Sequence, residues 1–312
     1  MAGPLRHLGE LARSQVGRRA AARADGEALH ELEARPLELP AGLEVEWLGV
    51  SGYRLTHEGH TLFVDPYFSR VPFRDLVLRR RAVPDPAALE RFVRAPGEAV
   101  GVLVGHTHFD HAVDAPALAR RLGCKAYGSA SLVNLMALHG MAERAVEVEP
   151  YRVYELGPFE VSFTPSAHSK LLLGLAVPYD GELTCEHLVS LSPSAYRCGQ
   201  VWGISIAVAG VRFYHQGSAN LIDDAVRDRG VDVFLAGVAG RGFTERYWQR
   251  ILPLLEPRTV VPTHYDNFFR PLGRQLEFVT AAELARLPEE IAAVSGEIEL
   301  AALRRADLDP RR

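Results

Sequence analysis

From Leu43 onward the chain alternates short runs of β-branched and aromatic residues with polar breaks, at 45–50, 53–56 and 61–64. Runs of this length and composition predict strands, and Glu58-Gly59 predicts a hairpin turn between the last two. Residues 66–99 carry Pro66, Pro72, Pro84, Pro86 and Pro96 with the basic run Arg79-Arg80-Arg81. This predicts a long connection holding one short helix near 87–93. An apolar run at 100–104 predicts a buried strand. Helical spacing at 115–122 and 131–139 then brackets a strand at 125–127. Strands are expected around Val148 and Val153, at 161–164 and at 171–177, and again at 203–208, 211–215, 231–236 and 259–262. Helices near 221–228 and 245–252 fall among this last group. Two β-rich halves with helices interposed predict an α/β protein of two packed sheets between helical layers.

The segment before Leu43 differs in composition. It is rich in Ala, Arg and Glu, with leucines at 5, 8, 11, 29 and 32. That spacing predicts an amphipathic helix, interrupted near Gly26 and stopped by Pro36 and Pro40. Residues 1–40 are therefore read as an N-terminal helical extension and 41–312 as the main domain. The extension is expected to pack on the outside of the domain; a lid, a dimer arm in a homo-oligomer and a membrane-surface helix are the alternatives.

Composition narrows the field. With 47% hydrophobic and 24% charged residues, the 312-residue chain can bury a sizeable core. A net charge of −4 argues against a general nucleic-acid binder and leaves room for a local basic pocket. The three cysteines, Cys124, Cys185 and Cys198, form no close pair, and residues 1–15 hold no apolar signal core; a cytoplasmic location is the expectation. The strongest apolar run, 171–178, is too short for stable insertion in a bilayer.

The chemistry is concentrated in Gly105-His106-Thr107-His108-Phe109-Asp110-His111, directly after the predicted strand. Imidazole and carboxylate donors together suit Zn²⁺ or a similar divalent ion such as Mn²⁺ or Fe²⁺. Alternation sends His106 and His108 to one side of an extended segment, which leaves Asp110 and His111 for a second position.

This run, HxHxDH at a strand end, resembles the signature of the metallo-β-lactamase-fold superfamily. The segments 45–53 and 61–66, Thr164-Pro165-Ser166-Ala167-His168 and Val261-Pro262-Thr263-His264-Tyr265-Asp266-Asn267-Phe268 are similar to its branch of L-ascorbate-phosphate lactonases and N-acyl phosphatidylethanolamine phospholipases. The resemblance implies an αββα four-layer sandwich and one or two metal ions. It assigns His106, His108 and His168 to the first, and Asp110, His111 and His264 to the second. It also implies a hydrolase that turns metal-activated water on a small-molecule ester, lactone or phosphodiester. Asp65 matches an acidic position beneath the metals, where a carboxylate orients a ligating imidazole; an Asx-Pro turn is the plainer alternative.

One position departs from the pattern. In Tyr214-His215-Gln216-Gly217-Ser218-Ala219-Asn220 the family places a bridging aspartate where this chain has Ser218, a neutral hydroxyl that cannot replace a carboxylate bridge. Three readings stay open: one metal on the first trio with Asp110 as base or water-orienting group, two metals bridged by water alone, or a relative that only binds ligands. A redox role is a fourth, weakened by the all-histidine first trio. His215 is expected to be packed on its strand.

Between His168 and Trp202 the pattern fixes nothing, and polar groups collect there. Arg197 is a candidate for gripping a phosphate or carboxylate, and Tyr196 for a polar tip in an apolar wall. Cys185 beside His187 suggests a thiol nucleophile only weakly, because near neighbours in sequence seldom form a working pair.

Overall fold

A computed structural model describes residues 4–170, 175–279 and 282–308, with side chains from residue 19 onward. Its first element is α1 (Pro4–Glu33), followed by the strands β1 (Glu44–Gly49), β2 (Gly52–His57) and β3 (His60–Val64). The hairpin between β2 and β3 turns on Glu58 and Gly59, both at positive φ (48° and 74°), which is the geometry that a two-residue hairpin demands. Next come α2 (Phe73–Val77), α3 (Pro86–Phe92), β4 (Glu98–Leu103), α4 (Phe109–Ala112), α5 (Ala115–Leu122), β5 (Ala126–Gly128), α6 (Ala130–Leu138) and β6 (Ala145–Glu147). The second half holds β7 (Tyr154–Leu156), β8 (Phe159–Ser166), β9 (Val201–Val208), β10 (Val211–Gln216), β11 (Val233–Gly237), α7 (Tyr247–Leu255), β12 (Thr259–Thr263), α8 (Leu287–Ala292) and β13 (Glu299–Leu300).

The strands form two mixed sheets, ordered β1-β2-β3-β4-β5-β6 and β13-β12-β11-β10-β9-β8-β7. In each, an antiparallel run meets a parallel one, at β3 in the first sheet and at β10 in the second. One apolar cluster fills the space between the sheets, with Trp47, Tyr53 and Leu55 facing Phe159, Phe163 and Ile204; it continues to Trp248 and Ile251 of α7. A second cluster lies between the outer face of the first sheet and the helices, where Val102 and Val104 meet Leu118, Leu132 and Met136. Such burial, at about 25 cal/mol per Å² of apolar surface, is what holds the layers together. The expected αββα arrangement is therefore present.

Three local expectations are corrected. Helix α1 runs through Gly26 without a break, because one helical glycine costs only about 1 kcal/mol against alanine. Its last turns dock on the body through buried Leu29 and Leu32 and through Asp25, which accepts from the Ala285 amide. The helix expected at 221–228 shrinks to one 3₁₀ turn at Asp223–Ala225. There Asp223 is gripped by Arg250, and Asp228 accepts from Ser205 on β9, so side-chain bonds hold the backbone against the sheet. Of the strand expected at 171–177, residues 171–174 lie outside the described residues, and 175–177 form a turn and a bridge position. No helix among the described residues is long and apolar enough to cross a membrane.

Candidate metal centre

Four strand ends deliver the site. β4 runs through Val104 and Gly105 into the histidine run, β8 ends just before His168, β10 leads to Ser218, and β12 ends at Thr263 just before His264. His106, His108 and His168 present ligand atoms within 4.8 Å of one another, and so do Asp110, His111 and His264. The rings of His106 and His111, one from each trio, lie 3.9 Å apart between centroids, so the trios form a single cluster.

Hydrogen bonds on the outer side of the rings decide which nitrogen faces inward. His108 Nε2 lies 2.8 Å from the Pro178 carbonyl, which can only accept; Nε2 therefore carries the proton and Nδ1 keeps a lone pair. That Nδ1 lies 3.1 Å from Nε2 of His106. His111 donates from Nδ1 to Asp65 Oδ2 at 2.7 Å, and His168 donates from Nδ1 to the Ser169 carbonyl at 2.7 Å, so both keep Nε2 for the centre. Asp110 Oδ2 lies 3.3 Å from His264 Nε2 and 3.7 Å from His111 Nε2. Inward lone pairs, outward protons and an added carboxylate make a donor set that fits a borderline divalent cation such as zinc.

Electrostatics separate the trios. Burial, helped by the neighbouring imidazoles, holds His106 and His168 well below the ordinary histidine range and lowers His108 to about 4. These rings are neutral and open to a cation. For His111 burial pulls the same way, but the carboxylates of Asp65 and Asp110 outweigh it and raise the ring above its usual value. Burial would raise Asp110; His111 and His264 overcome it and hold the carboxyl well below the usual range. An aspartate held so firmly ionised is a weak base at neutral pH and a good ligand or hydrogen-bond acceptor.

Asp65 anchors the cluster. It is fully buried at the end of β3, at a φ of 42°, and accepts from the Gly105 amide at 2.6 Å as well as from His111. A Cβ at Gly217 would stand 2.9 Å from Asp65 Oδ2 and 3.2 Å from His111 Cε1, so only glycine lets the β10 loop pass this pair. The motif 105–111 with Asp65 is thus one hydrogen-bonded unit. His215 is buried and bonded through Nε2 to the Ser51 carbonyl at 2.9 Å; it belongs to neither trio.

Ser218 stands beside the first trio. Its Oγ accepts from the Ser169 amide at 2.9 Å and lies 3.2 Å from Ser169 Oγ, while Asn220 donates to the His168 carbonyl at 3.2 Å. The loop after β10 therefore holds the segment that carries His168.

The two expected substrate contacts fall elsewhere. Tyr196 is fully buried, and its hydroxyl donates to the Ala82 carbonyl at 2.9 Å; an aromatic ring in this apolar cluster leaves no polar tip for a ligand. The exposed side chain of Arg197 donates to the Asp180 carbonyl at 3.1 Å. The segment acts on the site through its backbone instead. Thr107, between His106 and His108, donates its hydroxyl to the Arg197 carbonyl at 2.6 Å and its amide to the Cys198 carbonyl at 2.9 Å. Cys198 is buried with its thiol pushed up to about 12, chiefly by burial, and Cys185 bonds to the carbonyl of His187, not to its ring. Neither cysteine joins a cluster of metal-binding type among the described residues.

Two mixed sheets between helical layers, with histidines and aspartates gathered at their strand ends, define the metallo-β-lactamase fold. A model of the β-lactamase superfamily domain matches residues 44–264, more than half of the 312-residue chain, and the chain belongs to that superfamily. It is similar to a UPF0173 metal-dependent hydrolase of Carboxydothermus hydrogenoformans, with 24% identity over 234 residues covering 72% of this chain and 86% of the relative. Among solved structures it is similar to Igni18, a metallo hydrolase of Ignicoccus hospitalis, with a TM-score of 0.53 and 18% identity over 84% of this chain and 95% of the other. The metallo-β-lactamase fold protein YhfI of Bacillus subtilis gives a TM-score of 0.51 and 17% identity over 83% and 95%.

Proposed function

We propose that this protein is a metal-dependent hydrolase acting on an ester, lactone or phosphodiester, with His106, His108 and His168 holding one ion and Asp110, His111 and His264 a second, weaker one. The observation that carries this reading is the inward-facing lone-pair set, fixed by Pro178, Ser169 and Asp65 on the outer side of the rings. A divalent ion held there supplies Lewis acidity, lowering the pKa of water and polarising a substrate oxygen.

The chain's own groups do the rest. Burial keeps the first trio neutral, so no proton must leave before an ion enters. Asp110, ionised and 3.3 Å from His264 Nε2, serves to accept a hydrogen bond from the attacking water and orient it, and holds no proton of its own. The relative named above as a metal-dependent hydrolase supports the class of reaction. Three free thiols fit a reducing, cytoplasmic setting.

The test is elemental analysis of protein purified without added metal, followed by a screen of aryl esters, lactones and phosphodiesters against wild type and His106→Ala. Bound zinc, manganese or iron with turnover lost in the variant supports the reading. Metal without turnover on any class would mark a binding protein on the same fold, and protein that takes up no metal would sink both.

A further inference from the structure

Three arginines line one cavity away from the metal centre. It lies on the outer face of the first sheet, by the end of α3 and the segment at 306–307, and holds about 280 Å³. Arg54, Arg91 and Arg94 line it beside the apolar side chains of Leu48, Phe68 and Phe92, and none of the six candidate metal ligands borders it. The alternation of β2 accounts for the first arginine. Tyr53 and Leu55 face the core between the sheets, so Arg54 faces outward, opposite Glu46 of β1. It keeps only 4% of its surface, pairs with Glu46, and donates to the Arg94 carbonyl at 2.7 Å.

Charge at this cavity does not balance. Arg54 is met by Glu46, and the one acid on the lining, Asp307, is held by Arg305 at 2.5 Å and by the Gly273 amide at 2.5 Å. Arg91 and Arg94 have no such counterpart. The Arg91 guanidinium lies 5.0 Å from the centre of the Phe92 ring, Arg94 donates to the Val93 carbonyl at 3.0 Å, and no carboxylate among the described residues pairs with either. Like charges converging on a hollow with apolar walls repel one another and focus a positive field into it, which an anion relieves.

We propose that this cavity binds a small dianion, a phosphate or phosphonate group carried on an apolar body, with Arg91 and Arg94 gripping the charge. Two guanidiniums without carboxylates match two negative charges, and the planar donor fork of arginine matches phosphoryl oxygens. Leu48, Phe68 and Phe92 offer apolar walls to the body that carries the group. The volume falls just below the roughly 300 Å³ at which ligand pockets begin, a size for a small molecule and not for a polymer. A nucleic-acid strand would need a basic track across the surface, and the chain as a whole carries a net charge of −4. Because the cavity shares no residue with either trio, the inference stands apart from the hydrolase reading.

The probe is phenylphosphonate, whose carbon–phosphorus bond survives an ester hydrolase. It is titrated calorimetrically at low salt into the full chain, before and after metal is removed by dialysis against EDTA. One equivalent is expected to bind with the same affinity in both forms. Arg91→Gln and Arg94→Gln, both at exposed positions, should each weaken it about tenfold, the scale of one charge-assisted hydrogen bond. Benzoate, with a single charge, should bind about tenfold more weakly than phenylphosphonate, and inorganic phosphate, with no apolar body, should also bind less tightly. Loss of all binding along with the metal would put the anion on the ions and overturn the inference, as would equal affinity in wild type and both variants. Benzoate as tight as phenylphosphonate would overturn the dianion, and inorganic phosphate as tight would overturn the apolar body. Wild-type protein that binds none of the three probes would overturn the site altogether.

Discussion

His111 donates from Nδ1 to Asp65 at 2.7 Å, and the other Asp65 oxygen receives the amide of Gly105, the residue that opens the histidine run. One buried carboxylate from β3 therefore fixes both the start of the motif and the ring of its last member. Groups that orient a ligating imidazole in this way are worth about 10–100-fold in metal affinity. Asp65→Ala is expected to weaken the second ion by that factor and to spare the first, as read by equilibrium dialysis against zinc. Equal weakening of both ions would mean that Asp65 acts through folding rather than through His111.

Ser218 gives a second, opposite kind of test. Its hydroxyl accepts from the Ser169 amide, so Ser218→Ala leaves a buried N–H without an acceptor next to His168. An unsatisfied buried donor costs about 1–3 kcal/mol. Denaturant unfolding should show that loss, and the first ion should bind less tightly. Ser218→Asp keeps an acceptor and adds a carboxylate on this loop; the second equivalent of zinc is expected to bind tighter than in wild type. No gain would show that the hydroxyl is not what limits the second position.

Acid should strip the two trios in a fixed order. His111 is raised above its ordinary value, so a proton on this ring competes with a second ion at a higher pH than on an ordinary imidazole. Below that pKa, affinity at the second trio should fall about tenfold per pH unit for this one proton. The first trio has no such competitor until far lower pH, with His108 titrating only near 4. Metal content after dialysis at steps from pH 8 to pH 5 should drop from two equivalents to one before it drops to none; loss of both together would contradict the assignment.

The same shifts set the stability of the metal-free protein. In the unfolded chain each histidine takes a proton near its ordinary value of about 6.5. His106, His108 and His168 stay neutral in the fold, so between that pH and about 4 the unfolded state binds more protons and stability falls with acid. His111 works the other way, contributing stability at low pH that is lost as pH rises through its raised pKa. His139 and His215 are lowered by burial as well, while Asp114, raised by burial to about 6, sides with His111; five groups against two, metal-free protein should melt at a lower temperature at pH 5 than at pH 7.5. A flat or rising profile would count against neutral rings in the first trio.

That the six candidate residues come together was legible in the sequence, because each carries its own donor atom and sits near where a strand pattern ends. Asp65 was legible only as an acid after a strand, since an Asx-Pro turn leaves the same trace. The contributions of Pro178, Arg197 and Cys198 were hidden for a physical reason. They act through carbonyl oxygens, which every residue carries, so their identity says nothing of the bond to His108 or Thr107. Tyr196 misled for the converse reason: a tyrosine can bury its ring and satisfy its hydroxyl on a local carbonyl, and here Ala82 supplies it.

Asp266, two residues beyond His264, ties stability to the second trio. It is fully buried, with Arg70 Nη1 at 3.0 Å and Arg305 Nη1 at 3.5 Å from its Oδ2, and its Oδ1 accepts the Val50 amide at 2.7 Å. Val50 in turn receives the amide of His264 at 2.8 Å and the hydroxyl of Thr263. Asp266→Ala would leave Arg70, only 2% exposed, without its carboxylate, while Arg305 keeps Asp307 at 2.5 Å; breaking a buried pair in this way costs about 3–5 kcal/mol. Unfolding in urea should show that loss in the metal-free protein. Because the same change frees Val50, the backbone that sets His264 loosens, and the second ion should be lost before the first. Asp266→Asn keeps an acceptor for Val50 but not the charge, so it should reproduce most of the stability loss while holding more of the second ion. Should the two variants lose the second ion equally, the link through Val50 would be wrong, and His264 would be placed by the charge cluster alone.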